Sequence, residues 1–426
     1  MPGTQESTER GDSRWRSVLR TPTPYVVVLV LALVVPAYVF YLWPDAPPIK
    51  GQPIRLILTW VGCLMAIGLW LLCRWQPTRE PLLRAFLWAM TGAWVVTMVI
   101  GRVHGDSFNY GAWLYVPILL MLLFKTPSPV DAWRGLTVLG WGVAIVLVVT
   151  LALEQAGVLE VFRTPDGMNE FEASSYWLPL ADLFGLEGRW PGPYRNAVDT
   201  AMMGALLVVL AMARWRRSSW VFLSVGVLVL LLTGSRVAFL AVFVAAGLML
   251  LFSRRGRMAG IPTWVRWLVL VAAGGAFGAV LVARGPGLTG RQGIWPEFIA
   301  LWQTSPIIGA GTSSFADFSN VTAISGHAHN FVLDVLVRYG IVGVIVQFVA
   351  IGIGLWILAR SAGRGVPGPA ALVLFYVVVS MTDVRNDWLH PSLNLMILCL
   401  AVVVAARTPL PEREHREPSE TESSSL

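Results

Sequence analysis

Apolar windows of about 15–20 residues recur along this chain, and each has the length that a helix needs to cross roughly 30 Å of hydrocarbon. The composition agrees, because 56% of the residues are hydrophobic and 13% are charged, whereas a soluble globular domain carries about 25% charged residues. The sequence therefore predicts an all-α, polytopic integral membrane protein with about twelve transmembrane helices, at 25–43, 54–73, 82–101, 110–124, 136–153, 196–213, 219–234, 237–252, 264–283, 341–359, 370–382 and 390–406.

Basic residues give an independent test of this topology. If the N-terminus is cytoplasmic, 21 of the 32 Lys and Arg residues fall in short inner segments, as the positive-inside rule expects. The other 11 lie outside, several of them in two long segments at about 154–195 and 284–340. We therefore predict that both termini are cytoplasmic. The net charge of +7 is then an orientation signal and no evidence for nucleic-acid binding.

The chain divides into three regions. Residues 1–24 are polar and contain arginine but no cleavable apolar core, so we expect a cytoplasmic segment followed by a first helix that stays as an anchor. Residues 25–407 form one membrane domain, whose large outward-facing loops are expected to contain amphipathic helices. Residues 408–426 are rich in Ser, Glu and Pro and are predicted to be a disordered cytoplasmic tail.

The first outer segment ends in a motif that combines arginine with aromatic residues, Gly188-Arg189-Trp190-Pro191-Gly192-Pro193-Tyr194-Arg195-Asn196. Arg189 and Arg195 could fork onto phosphate oxygens, while aromatic rings could stack on a sugar. The same residues also suit a membrane-interface aromatic belt with snorkelling arginines, and that alternative stays open.

The connection between the seventh and eighth spans reads Thr233-Gly234-Ser235-Arg236. The connection is so short that Arg236 must sit at the outer membrane boundary. Its charge then either faces protein or a polar cavity, or snorkels to the lipid headgroups.

The second outer segment, 284–340, contains apolar residues at helical spacing over 290–302, which indicates an amphipathic helix on the outer surface. A turn-rich stretch follows at 305–311. Asn330, Asp334 and Arg338 are then spaced to share one face of the next helix, with His327 and His329 at its start. A membrane-surface helix exposing its polar side to water would have the same pattern.

Several motifs of other functional classes are missing from the sequence. It contains no His-Glu-x-x-His, no cysteine pair and no Asp-x-Asp, and His327-x-His329 alone is a weak metal signal. It also lacks the phosphate-binding loop of ATP-driven pumps and the Gly-x-Ser-x-Gly of serine hydrolases. Cys63, Cys73 and Cys399 all fall in predicted spans, so no disulfide framework is indicated.

Five motifs in order nevertheless resemble the O-antigen ligase and O-antigen polymerase superfamily. They are Arg189-x-x-Gly192-x-x-x-Asn196, Thr233-Gly234-Ser235-Arg236, Gly290-Arg291-x-x-x-Trp295, Pro306-x-x-Gly309-x-Gly311 and His329-Asn330-Phe331-x-Leu333-x-x-Leu336-x-x-x-Gly340-x-x-Gly343. The resemblance covers roughly 185–350. It implies a multi-pass glycosyltransferase of the bacterial inner membrane that uses a polyisoprenyl-diphosphate-linked (undecaprenyl-type) saccharide donor and no cofactor, nucleotide-sugar or metal. The acceptor, whether glycan, lipid or protein, is left undefined.

This implied chemistry assigns roles to the candidate residues. The enzyme must hold a diphosphate, stabilise its growing charge as it leaves and deprotonate an acceptor hydroxyl. We expect Arg236, Arg291 and His329 to be catalytic, with His329 accepting or orienting the proton. The expected substrate-binding residues are Arg189, Arg195, Asn330, Asp334, Arg338 and His327, and Asp334 could support either His329 or an arginine.

Two alternatives remain at this stage. A polymerase of lipid-linked repeat units shares the same motifs. A transporter or flippase of lipid-linked sugars would favour ionisable residues deep in the spans, whereas most charged residues here cluster at the predicted membrane faces.

The topology predicts that reporter fusions at residues 175 and 320 are exported, because both positions fall in the long outer segments. Paired alkaline phosphatase and fluorescent protein fusions measure this directly. Cytoplasmic signals at both positions would refute the topology and the outer placement of the candidate residues.

Overall fold

The computed structural model describes residues 24, 26–28, 31, 60–62, 64–72, 80–105, 120, 128–157, 190, 192–194, 197–214, 216–253, 261–283, 291–311, 330–380 and 393–408. These residues contain a short 3-10 turn at Gly192–Tyr194, no strand, and ten α-helices besides the apolar helical segment Trp60–Leu72. The helices are α1 (Pro81–Val103), α2 (Pro129–Gln155), α3 (Ala197–Ala213), α4 (Arg217–Thr233), α5 (Arg236–Phe252), α6 (Thr263–Ala283), α7 (Arg291–Thr304), α8 (Phe331–Gly363), α9 (Gly368–Ser380) and α10 (Leu393–Arg407).

The all-α character of the prediction is confirmed in the described part of the chain. By length and composition, α1, α2 and α8 are long and apolar enough to cross a membrane. Shorter apolar helices lie within α3, α4, α5, α6, α9 and α10, where the sequence also placed spans. Windows 25–43 and 110–124 fall almost entirely outside the described residues, so the count of twelve spans stays a prediction.

The bundle has apolar residues both inside and outside. Helix α10 is enclosed by other helices, since Leu395–Val404 are at most 1% exposed, and α3 and α9 are buried to a similar degree. Helices α1, α5 and α8 instead present large apolar side chains outward, including Trp88 at 65%, Phe243 at 72% and Trp356 at 60% exposed. Soluble proteins rarely expose so much apolar surface, so this outer surface is suited to lipid.

Helix ends that the sequence assigns to the same side of the membrane lie together. On the predicted outer side, His104, which follows α1, places its Nε2 atom 3.3 Å from the Ile308 carbonyl oxygen. The Trp190 amide donates to the Leu232 carbonyl at 3.0 Å near the end of α4. On the predicted inner side, the start of α1 and the ends of α8 and α10 line a common cavity.

Helix α8 is interrupted at one residue. Gly340 has φ 63° and ψ −164°, which separates 331–339 from 341–363. The sequence placed the boundary between the outer segment and the tenth span at this same position. Such a break leaves main-chain N–H and C=O groups without their usual partners inside the helix.

The turn at residues 306–310 supplies those partners. The amides of Ile341 and Val342 donate to the carbonyls of Pro306 and Ile307 at 2.9 and 3.1 Å, and the Ala310 amide donates to the Val337 carbonyl at 2.7 Å. We call this arrangement, residues 306–310 bonded to 337–342, the glycine clamp. It joins the Pro306-x-x-Gly309-x-Gly311 motif to the Gly340 motif through main-chain atoms alone.

Two glycines make this approach possible. A Cβ atom at Gly309 would lie 2.5 Å from the Arg338 carbonyl carbon, and one at Gly340 would overlap the Ile307 carbonyl. Both residues also have positive φ, 77° and 63°, in the region that residues with a side chain rarely adopt. Any larger residue at either position would therefore be strained and would separate the two main chains.

Helix α7 packs against the clamp from one side. Phe298 of α7 and Val337 of α8 form a small buried cluster, with Leu301, Trp302 and Leu333 around it. The Trp302 indole N–H donates to the Pro306 carbonyl at 3.1 Å. A helix therefore exists where the sequence predicted one, and its side chains Phe298, Leu301 and Trp302 cover the first part of α8. Its placement on the outer membrane surface stays a prediction.

We predict that Gly309→Ala and Gly340→Ala each destabilise the protein by at least about 2 kcal/mol, because each combines a strained φ with a main-chain clash. The measurement is thermal unfolding of the purified protein in detergent. Gly352→Ala is the matched control, since Gly352 lies in α8 with nothing within 4 Å of an added Cβ. Equal effects at all three positions would contradict the role of the clamp.

Candidate active site

The structure describes the candidate residues unequally. Arg189, Arg195, His327 and His329 lie outside the described residues. Arg236 and Arg291 are the first residues of α5 and α7, but their side chains also lie outside the described part. Asn330, Asp334 and Arg338 are described with their side chains, and they define the start of α8.

Asn330 is the residue that begins α8. Its backbone is extended, at φ −153° and ψ 119°, and its Oδ1 atom accepts a hydrogen bond from the Leu333 amide at 3.1 Å. The prediction that Asn330 shares a helical face with Asp334 and Arg338 is wrong, because Asn330 lies before the first helical residue. Its short amide side chain satisfies an otherwise unpaired amide of the first turn, the usual role of an N-cap. The cap fixes the main chain immediately after His329.

Asp334 and Arg338 form a two-point ion pair one turn apart. The Arg338 Nε atom lies 2.9 Å from Asp334 Oδ2, and Arg338 Nη2 donates to Oδ1 at 3.4 Å. Asp334 is only 2% exposed, so its carboxylate is shielded from solvent. Removing one partner of a buried pair typically costs about 3–5 kcal/mol. Of the two roles open to Asp334, the structure therefore shows the contact with an arginine.

This ion pair is built onto the glycine clamp. The Arg338 carbonyl carbon lies against Gly309, and the preceding carbonyl, that of Val337, accepts the Ala310 amide. The main chain that carries Arg338 is thus held from both sides. The charged groups at the start of α8 are consequently fixed relative to α7 and to the turn.

The Thr233-Gly234-Ser235-Arg236 turn is equally tight. The Thr233 hydroxyl donates to the Val229 carbonyl at 2.8 Å, and the Gly234 amide donates to the Leu230 carbonyl at 3.0 Å, which closes α4. Ser235 is 2% exposed, and its carbonyl accepts the Phe239 amide at 3.1 Å in the first turn of α5. Arg236 therefore starts α5 directly at the turn.

A second segment is tied to the same helix end. Trp190 is 1% exposed, its amide bonds to Leu232 of α4, and its indole N–H donates to the Glu154 carboxylate at the end of α2. Because the ring is buried, Trp190 serves neither as a sugar-stacking platform nor as part of a lipid-facing belt. Its amide and its indole instead fix Trp190 between the end of α4 and the end of α2.

Two of these contacts were not foreseen from the sequence. Glu154 belongs to none of the sequence motifs, and nothing in its neighbourhood pointed to Trp190, which lies 36 positions further on. His104 was not singled out at all, although it reaches the turn at Ile308. Only the predicted topology pointed to these contacts, because it places the two residues of each contact on the same side of the membrane.

The main chain at the starts of three helices near the candidate residues is suited to binding an anion. Among the described residues, no three His, Cys, Asp or Glu side chains are grouped as metal ligands. Helices α5 and α7 start at Arg236 and Arg291, and α8 starts at Phe331, two residues after His329. Helix starts present main-chain N–H groups and a positive partial charge, which favour phosphate.

Comparison with known proteins agrees with this arrangement. Residues 221–348 match a family described as O-antigen ligase, a range that runs from α4 through the Thr233–Arg236 turn, α5, α6, α7 and the glycine clamp into α8. The 189–196 segment precedes the matched range. No curated protein matches the chain. The match supports an O-antigen ligase-like family for this chain, which confirms the resemblance that its ordered motifs predicted.

Proposed function

We propose that this protein is a membrane glycosyltransferase that moves a saccharide from a polyisoprenyl-diphosphate carrier to an acceptor hydroxyl on the outer face of the bacterial inner membrane. The proposal places it in the assembly of surface polysaccharide or glycoconjugates. Its main support is that the segment matching the O-antigen ligase family contains the helix starts at Arg236 and Arg291 and the start of α8 two residues after His329.

The reaction requires charge stabilisation at the leaving group. The acceptor oxygen attacks the anomeric carbon, the bond from that carbon to the diphosphate oxygen breaks, and the electron pair leaves with the polyisoprenyl diphosphate. Arg236 and Arg291, each at the positive end of a helix, are proposed to bind this diphosphate as its charge grows. An activated diphosphate donor of this kind needs no nucleotide, and two arginines can supply the positive charge that a metal would otherwise provide.

The acceptor hydroxyl must also lose its proton. His329 is proposed to take or orient this proton, because imidazole has an unperturbed pKa of about 6.5 and titrates near physiological pH. The Asn330 cap fixes the start of α8 next to it. His327, Arg189 and Arg195 are proposed to contact the glycan or the diphosphate.

The Asp334–Arg338 pair is proposed to have a positioning role. Since both ends of the Asp334 carboxylate face Arg338, the guanidinium has a fixed orientation at the start of α8. A rigid, pre-oriented arginine loses less conformational entropy when it meets an anion than a mobile one does. The glycine clamp holds this pair relative to α7, whose first residue is Arg291.

We expect Arg236→Ala, Arg291→Ala and His329→Ala each to lower glycan transfer by about 10²–10⁴-fold, the range for electrostatic and general acid–base groups. The measurement is the surface polysaccharide profile, together with accumulated polyprenyl-linked intermediates, in a deletion strain complemented with each variant. Protein levels in the membrane should stay near those of the unmodified chain, because these residues lie at helix starts or outside the spans.

Arg217→Ala is the matched control for Arg236→Ala. Arg217 is exposed and is also the first residue of an apolar helix, α4, but it lies at the predicted inner face. It should keep normal transfer. Near-normal transfer by both the Arg236 and the His329 variants, at equal protein levels, would refute the proposed site and favour the transporter alternative. If the variants lost long polysaccharide chains but still transferred single repeat units to the acceptor, the polymerase alternative would be favoured.

A metal-free mechanism predicts that transfer continues in the presence of EDTA. The assay uses purified protein, a polyprenyl-diphosphate-linked donor and envelope membranes as the source of acceptor. The physical reason is that arginine, unlike a coordinated divalent cation, keeps its charge when a chelator is present. Activity that disappears with EDTA and returns with a divalent cation would contradict this mechanism.

A further inference from the structure

A cavity of about 210 Å³ lies at the end of the bundle opposite to the glycine clamp. It is lined by the start of α1, with Glu80, Pro81 and Leu82, by the end of α8, with Ile357, Arg360 and Arg364, and by Ala405 and Ala406 of α10. All three helix ends are on the side that the basic residues mark as cytoplasmic. The cavity therefore opens at the membrane face away from the proposed active site.

Two arginines give the cavity a net positive charge. Arg360 and Arg364 lie one turn apart at the end of α8, the first exposed and the second half-buried. Within the described part of the chain, neither guanidinium forms a hydrogen bond or an ion pair, and the Glu80 carboxylate forms none either. Helix α1 begins here with no side-chain cap and adds a positive partial charge, whereas the C-terminal ends of α8 and α10 add negative ones. The net positive charge of the cavity therefore comes from the two guanidinium groups.

The remaining walls are apolar and continue into the surface that is suited to lipid. Leu82, Ile357 and Ala406 line the cavity itself. On the outside of α8, Ile345, Val349 and Trp356 are 55%, 54% and 60% exposed, and their helical spacing leads to Arg360. A ligand with an anionic head and an extended apolar chain would match both parts.

We infer that this cavity binds the headgroup of an anionic phospholipid of the phosphatidylglycerol type. Arg360 and Arg364 hold the phosphate through charge-assisted hydrogen bonds, and the Glu80 carboxylate accepts hydrogen bonds from the glycerol hydroxyls. The acyl chains follow the apolar stripe of α8. The inference does not depend on the proposed glycosyl transfer.

The test is native mass spectrometry of the full chain released from detergent with added phosphatidylglycerol, phosphatidylcholine or inorganic phosphate. One phosphatidylglycerol should stay bound, while phosphatidylcholine should be retained much less. In Arg360→Gln/Arg364→Gln the affinity for phosphatidylglycerol should fall about thirty-fold, as expected for the loss of two headgroup arginines. Ala406→Phe, which fills the cavity and keeps both arginines, should lower the affinity to a similar degree.

The matched control is Arg84→Gln/Arg217→Gln, which removes the same charge from two exposed arginines of the same predicted face that do not line the cavity. It should retain phosphatidylglycerol normally. Three results would overturn the inference. These are unchanged affinity in the Arg360/Arg364 variant, equal retention of phosphatidylcholine, and displacement of the lipid by inorganic phosphate at comparable concentration, which would make this a free-phosphate site.

Discussion

The main-chain hydrogen bonds between the 306–310 turn and the break in α8 are the interaction on which the rest of this end of the helix bundle depends. They satisfy the amides of Ile341 and Val342 that a broken helix would leave unpaired in an apolar environment. Because they fix the two main chains together, α7 can pack on α8, and the Asp334–Arg338 pair acquires a defined orientation. Main-chain hydrogen bonds thus hold the start of α8 in place, in addition to the ion pair between its charged side chains.

Hydropathy predicted most of the helices because a chain that crosses lipid must pair its main-chain groups within helices. Each such helix needs a long run of apolar side chains, which is visible in the sequence. The boundary at Gly340 was also predicted, since polar residues end and an apolar run begins there. Asn330 was misassigned because helical spacing alone does not distinguish the first turn of a helix from its cap. A polar residue directly before an apolar helix fits both.

The pairing of distant segments was harder to predict. The glycine motifs at 306–311 and 340–343 were recognised separately, but hydrogen bonds between main chains carry no side-chain pattern that would match one to the other. The same holds for Trp190 and Glu154, where a buried indole donates to a half-buried carboxylate at the end of α2. The resemblance to the O-antigen ligase family could be predicted because the order of the motifs is visible in the sequence even when their pairing is not.

The glycine clamp constrains very few side chains, because all its bonds use main-chain atoms. Ile307, at 65% exposure, and Ala310 contribute only their backbone to it, so many residue types could replace them without loss of a bond. Chains that share this architecture can therefore diverge widely while keeping Gly309 and Gly340. Two glycines at fixed positions, rather than particular side chains around them, are then what this arrangement requires of a sequence.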